Sequence, residues 1–210
     1  TGYCIAFFFF IETEKRKYLN LFFVGLTCAV LTKSIQGLLF IPPLVLYSFT
    51  IKGKFYELVK NKWIYINSLI FILIIGGYYL IREHFNPGYL QAVSENELGG
   101  RFLKAPEGHT HEFLFYYNML LDIRFPDWYP LILSSIFIGI TLKDFRLRRI
   151  TFFCILNLII YWLIISSAKT KLEWYDLPMY PWLCLLSAIT LYWVFNAIRF
   201  WLNLNNKYMV

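Results

Sequence analysis

The chain has 210 residues, of which 59% are hydrophobic and 16% are charged, and its formal net charge is +7. A soluble domain carries about 25% charged residues, whereas the mean hydropathy here is +0.54. These values exclude an ordinary soluble domain and predict an all-α, polytopic transmembrane helical bundle. The sequence begins at Thr1 within an apolar run. We therefore expect it to be a fragment of a longer chain.

Apolar runs predict about six full spans after a truncated first one, all within a single transmembrane domain over residues 1–210. Two spans form a helical hairpin over residues 18–51. An outer loop at residues 82–125 contains an interfacial helix at 112–121, because that stretch is apolar but too short to cross a bilayer. The other spans are predicted at residues 63–81, 127–142, 150–168 and 177–198, the last two forming a hairpin (150–198) whose outer turn is 169–176.

Basic clusters set the expected orientation. They lie at residues 15–17, 52–62 and 143–149, and the positive-inside rule makes these loops cytoplasmic. The inner segments then hold 13 Lys/Arg against four acids, and the outer segments hold seven against nine. Membrane orientation explains the basic pI, so no nucleic-acid partner is expected.

The outer segments contain the candidate binding residues. Cationic and hydrogen-bonding side chains at one depth suit a phosphate on a lipid carrier, because charge-assisted bonds strengthen where water is scarce. An alternative for Lys33, Lys169 and Lys171 is anchoring at the membrane interface, and Arg101 could instead order its own loop. The residues predicted to bind the lipid phosphate or the sugar are Lys33, Arg82, His84, Arg101, His109, Lys169, Lys171 and Tyr175.

Three passages, in order, carry a family resemblance. They are GLTCAVLTKSIQGLLFIPP, then SENELGGRFLKAPEGHTHEFLFYYNMLLDIRFPDW, then SSAKTKLEWYDLPMYPWLCLLSA. Together they resemble the C-terminal part of GT-C glycosyltransferases, in the branch of aminoarabinose transferase and the protein O-mannosyltransferases. Ser34 departs from this pattern, since the family has Gly there, and Asp127 separates a Pro and a Trp that are adjacent in the family.

The resemblance implies transfer of a sugar from a polyprenyl-phosphate donor to a lipid or protein acceptor, with inversion at the anomeric carbon. Lipid A modification and protein glycosylation are both within this expectation, in the bacterial inner membrane with the active face periplasmic or extracellular. The resemblance also implies a catalytic acidic residue in a first outer loop, so the general base is expected upstream of Thr1. No cofactor is assigned with certainty, and dependence on a divalent metal stays open. The expected partners are the donor, the acceptor and membrane lipids.

Two other functions fit the same outer cations. One is a transporter or flippase of lipid-linked sugars, which would concentrate charges or broken helices at the bilayer midplane. The other is an O-antigen ligase or polymerase. No nucleotide-binding, dinucleotide-binding or hydrolase motif is present in the sequence. The gathering of charges at one face favours the transferase.

Overall fold

A computed structural model describes residues 1–95, 111–141 and 144–207. Within these ranges the chain is all-helical, as the composition predicts, and it forms no β-strand. The α-helices are α1 (Gly2–Thr13), α2 (Arg16–Lys33), α3 (Ile41–Thr50), α4 (Lys54–Lys60), α5 (Lys62–Phe85), α6 (Tyr89–Val93), α7 (Phe115–Met119), α8 (Tyr129–Thr141), α9 (Phe145–Ser167) and α10 (Tyr180–Lys207).

Four helical segments of the described chain are long and apolar enough to cross a membrane. They are Arg16–Leu38, Lys62–Phe85, Phe145–Ser167 and Glu173–Leu202. These segments are compatible with an integral membrane protein. Three further apolar helical segments are shorter, so the expected count of six full spans stays a prediction; they are Gly2–Thr13, Ile41–Thr50 and Tyr129–Gly139.

The helices form two compact units. Unit 1 comprises Thr1–Phe113 and Ile160–Tyr175, and unit 2 comprises Leu114–Ile159 and Asp176–Val210. Helix α9 contributes its first part to unit 2 and its last turns to unit 1. The predicted grouping of residues 1–210 into one transmembrane domain stays a prediction.

In unit 1, aromatic contacts fix the direction of α2 relative to α1. The Phe9 ring stacks on Tyr18 with centroids 5.4 Å apart, and the Phe7 ring lies 5.3 Å from Phe22. Nearer the start of α1, a Cβ built on Gly25 would lie 3.0 Å from the Tyr3 Cβ. Since later residues of α2 meet earlier residues of α1, the two helices are antiparallel.

Helix α3 returns in the direction of α1. The Tyr3 hydroxyl donates to the Gly37 carbonyl at 2.7 Å, and ten residues later the Tyr47 hydroxyl donates to Glu12 at 3.4 Å. Helix α3 therefore runs opposite to α2. Prolines in its first turn suit this start, because proline lacks the amide hydrogen that a helix leaves unpaired there.

Helix α5 packs along α2 in the same direction. Near their starts, the Asn67 side-chain amide donates to the Asn20 side-chain oxygen at 3.2 Å. Near their ends, the Ser34 and Tyr79 hydroxyls are 2.8 Å apart. Unit 1 consequently has two ends, which we call the cationic end (residues 12–17 and 51–63) and the hairpin end (residues 33–40 and 79–89).

The turn of the hairpin end is tightly packed. A 3-10 helix, Ser34–Leu38, follows α2 and folds back on it, so that a Cβ added to Gly37 would lie 2.7 Å from the backbone of Ala29. Glycine is needed at this position because the two backbones touch. Ser34 has a φ of 51° and a ψ of −135°, a conformation in which glycine is favoured.

Unit 2 packs α8 against α10. The Thr190 hydroxyl donates to the Leu131 carbonyl at 2.7 Å, and the Phe153 ring meets the buried Trp182 ring edge-on at 5.7 Å. Asn157 is fully buried, and its amide donates to the Phe153 carbonyl one turn earlier at 2.8 Å. Unit 2 thus combines aromatic packing with a buried polar residue.

Several element boundaries differ from those predicted from the sequence. Helix α9 begins at Phe145 and not at residue 150, because Asp144 accepts from the Arg146 amide at 2.8 Å and caps the helix among the arginines. The predicted outer turn 169–176 ends in a 3-10 helix, Glu173–Met179, so the next α-helix begins at Tyr180 and not at 177. Where an interfacial helix was predicted at 112–121, the α-helix spans Phe115–Met119 and continues as a π-helical turn, Leu120–Arg124.

Candidate functional site

Lys33 and Arg82 lie at the same end of unit 1. Lys33 is the last residue of α2 and is exposed. The next residue, Ser34, bonds to Tyr79, which is three residues before Arg82 on α5. This bond holds the ends of the two helices together and sets both cations on the hairpin end.

The turn after α5 is well ordered by hydrogen bonds. The Glu83 carboxylate accepts from the backbone amides of Gly88 at 3.0 Å and Leu90 at 2.8 Å. The Arg82 guanidinium lies 4.8 Å from the Tyr89 ring centroid, a cation–π distance. The predicted residue His84 is exposed, and its ring meets Phe85 edge-on at 5.4 Å. Arg82 is thus oriented by this turn, while both it and His84 remain exposed.

The two lysines of the predicted turn are in different environments. Lys169 is exposed, whereas Lys171 is only 6% exposed and its ammonium donates to the Ala168 carbonyl at 2.7 Å. Burial lowers the pKa of the Lys171 ammonium below its ordinary value, because desolvation disfavours the charged form. Lys171 is therefore a desolvated cation in a short segment between two helices.

Tyr161 connects this segment to the hairpin end. Its ring stacks on Phe40 with centroids 4.6 Å apart and planes 10° from parallel. Its hydroxyl donates to the carbonyl of Tyr175 at 3.0 Å. Through these two contacts, the segment with Lys171 and Tyr175 meets the residues that follow Lys33 and Ser34.

Three polar atoms in the last turns of α9 and in the segment after it are buried without a hydrogen-bond partner among the described residues. They are Trp162 Nε1, Ser166 Oγ and Tyr175 Oη. Trp162 and Ser166 are four residues apart on α9 and so share one helix face. Buried polar groups nearly always have partners, so these three atoms are available for hydrogen bonds to a bound polar group.

Sequence reasoning identified Tyr175 but missed Tyr161, Trp162 and Ser166. The last two interrupt a run of aliphatic residues at a spacing of four, and polar groups within a membrane span are a recognised sign of function. In unit 2, Asp176 was also missed. It is fully buried and its carboxylate accepts from the Tyr180 hydroxyl at 2.8 Å. The sequence offered one signal for Asp176, namely that it is an acidic residue within the third of the resembling passages.

Two of the eight predicted residues, Arg101 and His109, lie outside the residues that the structure describes. A cavity of about 250 Å³ opens at the cationic end, where Lys54, Glu14 and Glu57 line it, and none of the other six predicted residues does. The predicted site and this cavity are therefore separate features of unit 1.

Comparisons with known proteins find no similarity to this chain: no family model matches, and neither a curated protein nor a solved structure does.

Proposed function

We propose that this chain is part of a membrane glycosyltransferase. It transfers a sugar from a polyprenyl-phosphate carrier to a lipid or protein acceptor at the outer face of the membrane, with inversion, through a bundle of about six full spans. The proposal starts from the three sequence passages that resemble GT-C enzymes. Six spans, an outer position of the hairpin end and a bacterial inner-membrane location belong to the same proposal.

One observation carries it. The first and third of the resembling passages are more than a hundred residues apart in the chain, yet they are joined by Phe40, Tyr161 and Tyr175. A site shared by the two passages requires such proximity. The buried Lys171 and Tyr175 Oη lie in the segment after α9, and Trp162 and Ser166 lie in the last turns of α9.

The conformation of Ser34 supports the resemblance independently. The family pattern has Gly after the lysine of the hairpin, and Ser34 at that position has a positive φ of 51°. Left-handed conformations with extended ψ are strongly favoured for glycine alone. The backbone of this chain thus has the shape that the family's glycine would adopt without strain.

The chemistry assigned to these residues is electrostatic. As the glycosidic bond to phosphate breaks, negative charge grows on the phosphate leaving group. A desolvated ammonium such as that of Lys171 stabilises this charge more than an exposed one, because the local dielectric constant is low. Tyr175 Oη and Ser166 Oγ would donate to sugar hydroxyls or phosphate oxygens. The acceptor is deprotonated by a carboxylate that we do not assign to any residue here.

The transporter alternative is favoured by a different observation. Asn157 is fully buried at the middle of the 23-residue helix α9. A polar side chain at mid-span is typical of a transport path. A transporter moves the intact lipid-linked sugar, whereas a transferase releases the lipid phosphate. Product analysis therefore separates the two functions.

The test is sugar transfer from a radiolabelled polyprenyl-phosphate sugar by the full-length protein in proteoliposomes. We expect Lys171→Met to lower kcat by about 10²-fold, as for loss of one preorganised group that stabilises transition-state charge. Lys171→Arg should retain more activity than Lys171→Met. Tyr175→Phe should lower the rate by about tenfold, the effect of one hydrogen bond.

The matched control is Lys60→Met, which removes an exposed lysine at the cationic end. It should leave transfer unchanged. Release of free polyprenyl phosphate is measured in the same reactions. Equal transfer by the wild type and by Lys171→Met would contradict the role of Lys171, and movement of intact donor without release of polyprenyl phosphate would favour the transporter.

A further inference from the structure

The cationic end of unit 1 carries more positive charge than its own carboxylates compensate. Residues 12–17 and 51–63 contain three glutamates, all with partners within unit 1. Lys54 pairs with both Glu14 and Glu57, the latter at 2.7 Å, and Glu12 accepts from the Tyr47 hydroxyl. Six cations remain, all exposed and none of them in an ion pair within the described chain: Lys15, Arg16, Lys17, Lys52, Lys60 and Lys62.

Aromatic rings lie beside several of these cations. The Arg16 guanidinium is 3.1 Å from the Trp63 ring centroid, and Lys62 Nζ is 5.5 Å from the same ring. Lys60 Nζ is 4.1 Å from the Tyr56 ring centroid. Trp and Tyr prefer the headgroup depth of a bilayer, where one edge of the ring is apolar and the other hydrated. In a bilayer, rings at this depth would hold the cations near the lipid phosphates.

Helix α4 gives this end an amphipathic surface. It has no buried residue, and it exposes Tyr56 (62%) and Val59 (46%) between Lys54 and Lys60. It is attached to α3 by the Phe49 and Phe55 rings, which stack 3.9 Å apart. A short helix with exposed apolar and basic side chains suits the boundary between headgroups and acyl chains.

The neighbouring helix surfaces show what kind of partner fits. Within about two turns of the cations, α2 exposes Leu21 and Val24, and α5 exposes Leu69. A partner must therefore present anionic groups to six cations and apolar chains to the adjoining helices. Phospholipids combine both, whereas a soluble acidic peptide would leave the apolar side chains uncovered.

We propose that the cationic end of unit 1 binds anionic phospholipid headgroups, with α4 lying along the headgroup boundary. The phosphates contact the six exposed cations, and the acyl chains cover the adjoining apolar faces of α2 and α5. Lys54 has a separate structural role, since it links the turn after α1 to α4. This lipid site is independent of sugar transfer and lies at the end opposite to the hairpin end.

The test measures lipid selectivity of the full-length protein in vesicles of phosphatidylcholine that contain spin-labelled phosphatidylglycerol or spin-labelled phosphatidylcholine. The wild type is expected to prefer the anionic label. The variant Lys52→Gln, Lys60→Gln, Lys62→Gln should lose about fivefold or more of this preference, because each cation near an anionic surface contributes up to about fivefold and salt screens part of it.

The matched control removes three exposed cations of unit 2 that belong to neither proposed site: Arg146→Gln, Arg148→Gln, Arg199→Gln. It lowers the net charge equally and should retain the preference. A charge-conserving variant with arginine at positions 52, 60 and 62 should also retain it, which shows that charge and not folding is responsible. The proposal would be overturned by equal lipid selectivity in the wild type and in the variant with glutamine at positions 52, 60 and 62. Equal losses of selectivity in that variant and in the triple-glutamine control would also overturn it. Competition by free glycerol phosphate at the same phosphate concentration would instead indicate a site for the isolated anion.

Discussion

The two ends of unit 1 hold lysine, arginine and tyrosine in contrasting environments. At the cationic end six cations are exposed, and Lys54 forms ion pairs with two of the three carboxylates. At the other end, the last turns of α9 and the segment after them bury Lys171 and leave three polar atoms without partners among the described residues. Exposed cations suit reversible contact with anionic lipid, because they lose little hydration when they bind. A buried cation and buried polar atoms suit a bound substrate, because desolvation strengthens each interaction.

The largest expected difference between the ends is the loss of stability when one of two phenylalanines, each stacked on a different ring, is replaced by alanine. Phe40 is 5% exposed and stacks on Tyr161, whereas Phe49 is 56% exposed and stacks on Phe55. Phe40→Ala should lower the free energy of unfolding by about 3–5 kcal/mol, the usual cost of emptying a buried phenylalanine site. Phe49→Ala should cost about 1 kcal/mol, mainly the ring–ring contact. Unfolding by sodium dodecyl sulfate in mixed micelles measures both, and equal losses would remove the distinction between the ends.

A smaller difference is expected for two tyrosine hydroxyls. Tyr161 donates to the Tyr175 carbonyl in a partly buried bond, and Tyr65 donates to the Val59 carbonyl at 2.6 Å in an exposed one. Tyr161→Phe should lower the free energy of unfolding by about 1–2 kcal/mol, because a desolvated acceptor is left unpaired. Tyr65→Phe should change it by less than about 0.5 kcal/mol. The same unfolding assay applies, and a larger effect of Tyr65→Phe would contradict the assigned environments.

The smallest effect is a pH dependence at the cationic end. Hydrogen bonding and charge attraction from Lys54 lower the pKa of the Glu14 carboxyl below its ordinary value of 4.5. A lowered folded-state pKa stabilises the folded state at pH values above the unfolded pKa. This stabilisation is lost as the pH falls through the folded pKa. The apparent Tm of the wild type should therefore fall slightly more than that of Lys54→Met between pH 5 and acidic pH. Parallel curves for the two proteins would indicate that the ion pair is not formed in solution.

Some features of the fold followed from residue types alone. Long apolar runs predict helices, since no other local structure satisfies the backbone hydrogen bonds of such runs in lipid. The basic clusters at residues 15–17 and 52–62 were predicted to share one side, and in unit 1 they lie at one end. That this end faces the cytoplasm stays a prediction, as do the roles of the eight candidate residues.

Other features were not accessible from local pattern. Lys169 and Lys171 are two residues apart in one charged turn, and nothing in the local sequence distinguishes them. In the structure, Lys169 is exposed and Lys171 is buried. The helix boundary near Phe145 depends on the Asp144 cap, and the one near Tyr180 depends on the preceding 3-10 helix. A hydropathy pattern detects neither feature. Burial is a property of what packs around a residue, so neighbours distant in the chain decide it.

By itself, the sequence determined the helical class, the apolar surfaces that suit lipid and the clustering of basic residues, because each depends on composition over a whole segment. Only the tertiary structure decided that Phe40, Tyr161 and Tyr175 meet, that Lys171 is desolvated, and that Lys54 occupies two carboxylates and leaves six exposed cations. These outcomes depend on contacts between residues up to about 120 positions apart, and such contacts arise from the packing of several helices together.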